Sequence, residues 1–114
     1  METKSAITAL AALAQESRLA TFRLLVQAGP AGLAATKIAE TLGIPPSSLS
    51  FHLKELTHAT LIAPRQEGRF LFYVAQFDTM NALVAFLGEN CCGGHPCSPT
   101  SLPECSDATT QCAR

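Results

Sequence analysis

Residues 36–56 read TKIAETLGIPPSSLSFHLKEL. Ile38, Ala39 and Leu42 recur at helical spacing, which predicts a short helix from Thr36 to Leu42 with those three turned inward. Gly43 follows at once, where a helix commonly ends in a left-handed residue. Pro45 and Pro46 come next, and Pro46 suits the first turn of a new helix, where a missing N–H leaves no bond unmade. Leu49, Leu53 and Leu56 then fall at i, i+4 and i+7, giving that helix one apolar stripe. Two helices joined by a glycine-containing turn, the second with a single buried stripe, describe a helix-turn-helix.

On the N-terminal side, an alanine-rich helix from about Lys4 to Ala14 places Ile7, Leu10 and Leu13 at helical spacing. A second helix begins near Glu16, sets Leu19, Phe22, Leu25 and Val26 on one face, and stops at Gly29-Pro30. On the C-terminal side the period shortens. Leu61-Ile62-Ala63 and Phe70-Leu71-Phe72-Tyr73-Val74 are β-prone, with Gln66-Glu67-Gly68-Arg69 between them, which predicts a two-stranded hairpin. A last helix presents Phe77, Met80, Leu83, Val84 and Leu87, has Asp78 near its start, and runs out at Gly88. The expected fold is mainly α (α+β): about five helices and a two-stranded wing in a winged helix-turn-helix.

The organisation predicted is a folded DNA-binding and dimerisation domain over 1–90 and a cysteine-containing flexible tail over 91–114. The tail is rich in Gly, Pro, Ser, Thr and Cys and has few large apolar residues to bury. The 114 residues suit one domain. The formal net charge of −1 hides an uneven split, because residues 1–87 carry seven Lys/Arg against six Asp/Glu. A basic surface must therefore be local, and net charge decides nothing about nucleic acid. The opening Met1-Glu2-Thr3-Lys4 lacks a basic, then apolar, signal pattern, and no long apolar run follows, so a cytoplasmic protein without membrane contact is expected.

Rotation by 100° per residue sets Ser47, Phe51, Lys54 and His58 opposite the leucine stripe, with Ser48 and Glu55 beside them. Serine hydroxyls at 47, 48 and 50 suit phosphates or base edges, Phe51 suits a thymine methyl, and Lys54 suits a phosphate. Arg65 and Arg69 flank the hairpin turn, where a minor-groove or backbone contact is expected. His52 lies at the edge of the stripe, as a packing or hydrogen-bonding residue first and a phosphate contact second. The plainer reading of the same segment is a generic helical pair in a small α+β domain.

Ser48-Leu49-Ser50-Phe51-His52-Leu53-Lys54-Glu55-Leu56, then Leu61-Ile62 and Arg65-Gln66-Glu67-Gly68-Arg69, resemble the core of the ArsR/SmtB family of winged-helix repressors. Glu16-Ser17-Arg18-Leu19 resembles the family's usual start of its second helix, and the likeness covers roughly residues 5–90. It implies a homodimer built from the first and last helices, with two recognition helices on a two-fold operator. His58-Ala59-Thr60 departs from the family, which usually has Gly at the third place. A β-branched Thr is poor at positive φ, so this helix is expected to end differently.

All five cysteines, at 91, 92, 97, 105 and 112, fall in the last quarter. An odd number in a chain without a signal pattern argues against a disulfide scaffold and for metal or redox chemistry. The helix before the recognition helix holds no cysteine, and Asp78 has no histidine after it until His95, so two of the family's metal sites are missing. Cys91-Cys92-Gly93-Gly94-His95-Pro96-Cys97 remains. Trivalent arsenic and antimony prefer three thiolates in a pyramid, and soft thiolates select such ions. Gly88 and Gly93-Gly94 are expected to unwind the backbone so that Cys91 and Cys92 turn to one centre with Cys97. This resembles the family subset whose arsenic site follows the last helix. The inducer expected is As(III) or Sb(III), with Cys91, Cys92 and Cys97 as ligands and Cys105 or Cys112 as an alternative to Cys97. A cadmium or lead sensor and a cysteine redox sensor are the alternatives, and a redox pair or unselected thiols the plainest reading. No organic cofactor and no catalytic set is indicated: there is no glycine-rich phosphate loop and no Ser/His/Asp arrangement. A winged helix that binds only protein remains a third class.

Overall fold

The computed structural model describes residues 1–94. Helix α1 (Thr3–Leu13) leads to α2 (Glu16–Ala28), whose first turn is capped by the Gln15 side chain accepting from the Arg18 N–H at 2.9 Å. One 3-10 turn (Gly29–Ala31) and a two-residue strand β1 (Leu33–Ala34) precede α3 (Ala35–Leu42) and α4 (Pro46–His58). Strands β2 (Ile62–Glu67) and β3 (Phe70–Ala75) form the hairpin, α5 (Phe77–Leu87) follows, and a 3-10 turn covers Cys91–Gly94. The sheet runs β1-β3-β2, antiparallel throughout, with Leu33 opposite Tyr73 and Pro64 opposite Tyr73 on the other side.

The helix-turn-helix forms as its sequence dictates. Gly43 takes φ 65°, ψ 35° and closes α3 with left-handed geometry. Pro45 is held extended by the proline after it (ψ 140°), and α4 starts on Pro46. Leu49, Leu53 and Leu56 are buried, and with Leu25, Ile38, Leu61 and Ile62 they make the core. Each such side chain contributes about 1.5–3 kcal/mol by leaving water.

Four expectations need correction. The wing belongs to a three-stranded sheet, because Leu33–Ala34 adds a strand too short to show a period of two. Gly32, just before it, lies so near β3 that a Cβ there would sit 2.5 Å from the Tyr73 carbonyl oxygen. The hairpin turn is only Gly68–Arg69, with Gly68 at φ 62°, and Gln66 and Glu67 belong to β2. In α1 the inward stripe is Ala6, Ala9 and Ala12, while Ile7 and Leu10 are 60% and 42% exposed. In α2, Leu19 is exposed, and Thr21, Phe22 and Leu25 are buried.

The fourth correction is at the end of α4. Thr60 does adopt positive φ, at 60°. The Leu61 N–H donates to the Leu56 carbonyl and the Thr60 N–H to the Thr57 carbonyl, both at 3.0 Å. These are the two bonds of a Schellman ending, and the buried Leu56 and Leu61 occupy the positions of its usual apolar contact. Thr therefore does what Gly does elsewhere, at a steric cost of about 1–2 kcal/mol.

Contacts part the described residues into two units between Leu83 and Val84. Among the described residues no helix is long and apolar enough to cross a membrane.

Candidate nucleic-acid interface and cysteine site

Because α4 buries its leucine stripe, its other residues are presented outward. Ser47, Ser48, Ser50, Phe51 and Lys54 are all exposed, and Phe51, a large apolar ring, is 55% so. An exposed phenylalanine on a helix otherwise lined with hydroxyls and a lysine suits contact with base edges better than it suits water.

His52 is held differently. It is half-buried, its Nδ1 lies 3.4 Å from Nη1 of Arg18, and its ring meets Phe51 edge-on at 5.9 Å. Arg18 also donates from Nε to the Ala12 carbonyl at 2.7 Å, so one guanidinium ties the end of α1 and the start of α2 to α4. A guanidinium only donates, so Nδ1 of His52 is the acceptor in that contact. The reading of His52 as a hydrogen-bonding residue fits this placement; a phosphate role for it would have to compete with Arg18.

The two wing arginines part company. Arg69 sits exposed in the turn. Arg65 is committed inward: Nη1 and Nη2 donate to the Pro30 and Ala31 carbonyls at 2.7 and 2.8 Å. Its guanidinium carbon lies 5.6 Å from the centre of the Phe72 ring, within cation–π reach. Nε is 3.2 Å from Glu67 Oε2, an ion pair by distance that lacks the direction of a hydrogen bond. Arg65 thus fastens the wing to the turn after α2, and of the two only Arg69 has its head group at the tip.

Between α4 and the hairpin runs a groove lined by Ser50, Lys54, Thr57 and His58 from the helix and by Pro64 and Tyr73 from the sheet. Sequence reasoning did not single out Arg18 for its contacts, nor Tyr73. Arg18 acts through residues 6 and 34 positions away, and no local pattern reports such pairings. Tyr73 read simply as one more β-prone aromatic.

In the second unit, Cys91 is half-buried and Cys92 exposed, with their sulfurs 3.4 Å apart. Adjacent side chains on a regular helix diverge by about 100°. Here they converge because Asn90 (φ 58°), Cys92 (φ 55°) and Gly93 (φ 69°) are left-handed. Gly88, expected to contribute, instead continues the helical pattern by donating to the Val84 carbonyl at 3.1 Å. Cys97 lies outside the described residues, as do His95, Cys105 and Cys112. Among the described residues no three metal-binding side chains cluster.

A recognition helix set on a short partner helix, beside a hairpin wing, defines a winged helix-turn-helix DNA-binding domain. A family model described as a helix-turn-helix domain matches residues 13–65. Among solved structures, an ArsR-like transcriptional regulator from Rhodococcus sp. RHA1 superposes with a TM-score of 0.67 at 25% identity, over 74% of this chain and 76% of that one. A possible transcriptional regulator for arsenical resistance gives 0.58 at 29% identity, over 68% and 78%. The homodimeric winged helix-turn-helix domain of a possible ArsR-family regulator from Mycobacterium bovis gives 0.61 at 27%, over 82% and 86%. No curated protein matches the chain. The chain is thus similar, over most of its described length, to winged helix-turn-helix transcriptional regulators of the ArsR type. It is a regulator of transcription and not an enzyme.

Proposed function

We propose that this regulator represses by binding operator DNA as a homodimer, and releases it when Cys91, Cys92 and Cys97 take up trivalent arsenic or antimony. The observation that carries the inducer is the convergence of the Cys91 and Cys92 sulfurs. Cys92 is disulfide-bonded in this structure, so the site needs it reduced; once it is, two sulfurs already 3.4 Å apart move little to reach one soft ion. A third thiolate from Cys97 completes the set. One solved relative is named for arsenical resistance, which supports the same chemistry.

The dimer is supported by the exposed Ile7 and Leu10 on α1, by the exposed Val84 and Leu87 late in α5, and by the homodimeric state of the Mycobacterium bovis relative. Apolar side chains of this size left in water are the usual mark of a surface that meets another protein. The wing tip with Arg69, and Ser47, Ser48, Ser50, Phe51 and Lys54 of α4, meet the duplex; Arg65 and His52 support them from behind.

The test is fluorescence anisotropy of the reduced protein on a duplex from upstream of its own gene, with arsenite, antimonite, cadmium, zinc and peroxide added separately. Arsenite should weaken binding about 5–150-fold, the range of ordinary allosteric coupling, and zinc should not. Cys91→Ser and Cys92→Ser should bind the duplex normally and lose the arsenite response. A duplex released by cadmium or peroxide but not by arsenite keeps the repressor and discards this inducer.

A further inference from the structure

The groove between α4 and the wing has a chemistry that its position alone does not require. Its helical wall is one stripe, Ser50, Lys54, Thr57 and His58, at i, i+4, i+7 and i+8. Its other wall is Pro64 and Tyr73, cross-strand partners on one face of the sheet. No carboxylate lines it. The nearby acid of α4, Glu55, lines a separate groove with Arg18. The groove therefore offers an ammonium, three hydroxyls and an imidazole with no opposing negative charge. The Thr57 hydroxyl is already spent on the Leu53 carbonyl, at 2.7 Å, leaving Ser50 and Tyr73 as the neutral donors.

Tyr73 is unusually well fixed for a surface donor. It sits on the central strand, paired with Leu33 on one side and Pro64 on the other. Gly32 runs close beside it, where an added Cβ would sit 2.5 Å from the Tyr73 carbonyl oxygen. Its ring is half-buried, and none of the hydrogen bonds found among the described residues uses its hydroxyl. A rigid ring ending in an uncommitted O–H, facing a lysine across a groove, is a preorganised seat for an anion.

We propose that this groove seats one backbone phosphate of the bound duplex, with Lys54 supplying the charge, Ser50 a second bond and Tyr73 a donor from the sheet. The proposal rests on the DNA-binding reading and deepens it. It makes the sheet, and not only α4 and the wing tip, part of the interface. A phosphate held from both walls also fixes the depth at which α4 enters the major groove.

The test is anisotropy on two duplexes of equal length, one from upstream of the gene and one scrambled, across a salt series. Tyr73→Phe removes only the hydroxyl, and loss of a hydrogen bond to a charged group predicts about a 10–100-fold loss on both duplexes. Its salt slope should match wild type, while Lys54→Gln should lower the slope by about one as well as weakening both duplexes. Because both side chains would grip the same phosphate, the double variant should lose less than the product of the single losses. Ser50→Ala should weaken both duplexes in the same sense and gives a second reading if Tyr73→Phe melts early. Tyr73→Phe binding both duplexes as wild type does would overturn the proposal, and so would a loss confined to the upstream duplex, which marks a base contact. Wild-type protein binding neither duplex would remove the DNA-binding reading itself, and this seat with it.

Discussion

The helix-turn-helix pair, α3 and α4, and the helices that flank it in sequence, α1 and α5, treat their aliphatic residues in opposite ways. In α4 every large aliphatic side chain points inward, and hydroxyls, a lysine and one aromatic ring face out. In α1 the inward positions are alanines and the larger Ile7 and Leu10 face out; late in α5, Val84 and Leu87 are exposed. The first region, α3 and α4, is finished as a single chain. In the second, α1 buries its alanines and shows Ile7 and Leu10, while α5 buries Leu83 and shows Val84 and Leu87. Those exposed side chains are where the proposed dimer would form.

The contrast can be broken most forcefully at α1. Replacing Ile7 and Leu10 together by Asp should give a folded monomer by sedimentation, with operator affinity down about 100-fold as the second half-site contact is lost. A variant that remains dimeric would move the interface elsewhere. Leu56→Ala, in the finished region, should cost about 3 kcal/mol in chemical denaturation, because it opens a cavity under α4. If it also changed the monomer–dimer equilibrium of the native protein, the two regions would not be separable. The smallest effect sharpens the picture at the end of α4. Thr60→Gly should raise stability by about 1 kcal/mol, read as a higher melting temperature, because it relieves a β-branched residue at φ 60°. No gain would mean that the Thr60 hydroxyl, which donates to the Ala59 carbonyl at 2.6 Å, offsets the strain.

The finished region was the legible one. Gly43, Pro46 and the Leu49, Leu53, Leu56 stripe are local signals, and each sits where its own chemistry placed it. The inward face of α1 was not legible in the same way, since an alanine is both a helix former and a small core residue and announces neither. The role of Arg65 was hidden because Pro30 and Ala31 come from an element far along the chain, and His52 was readable as a hydrogen-bonding residue without its distant partner Arg18. At Thr60 a sound local rule gave the wrong expectation. Two backbone bonds and the buried Leu56 and Leu61 outweighed one residue's dislike of left-handed geometry. The cysteine pair stood out in the sequence, but not the left-handed Asn90 beside it.

Gly32 has a consequence for how this gene tolerates change. Any side chain there would meet the Tyr73 carbonyl at 2.5 Å and Val74 Cγ1 at 2.6 Å, on a backbone already at φ 70°. In a saturation library screened for repression, position 32 should return glycine codons alone. Yet it is a half-buried junction that lines neither the groove beside α4 nor the cysteine pair, and it would be mistaken for a binding residue by anyone ranking positions by intolerance.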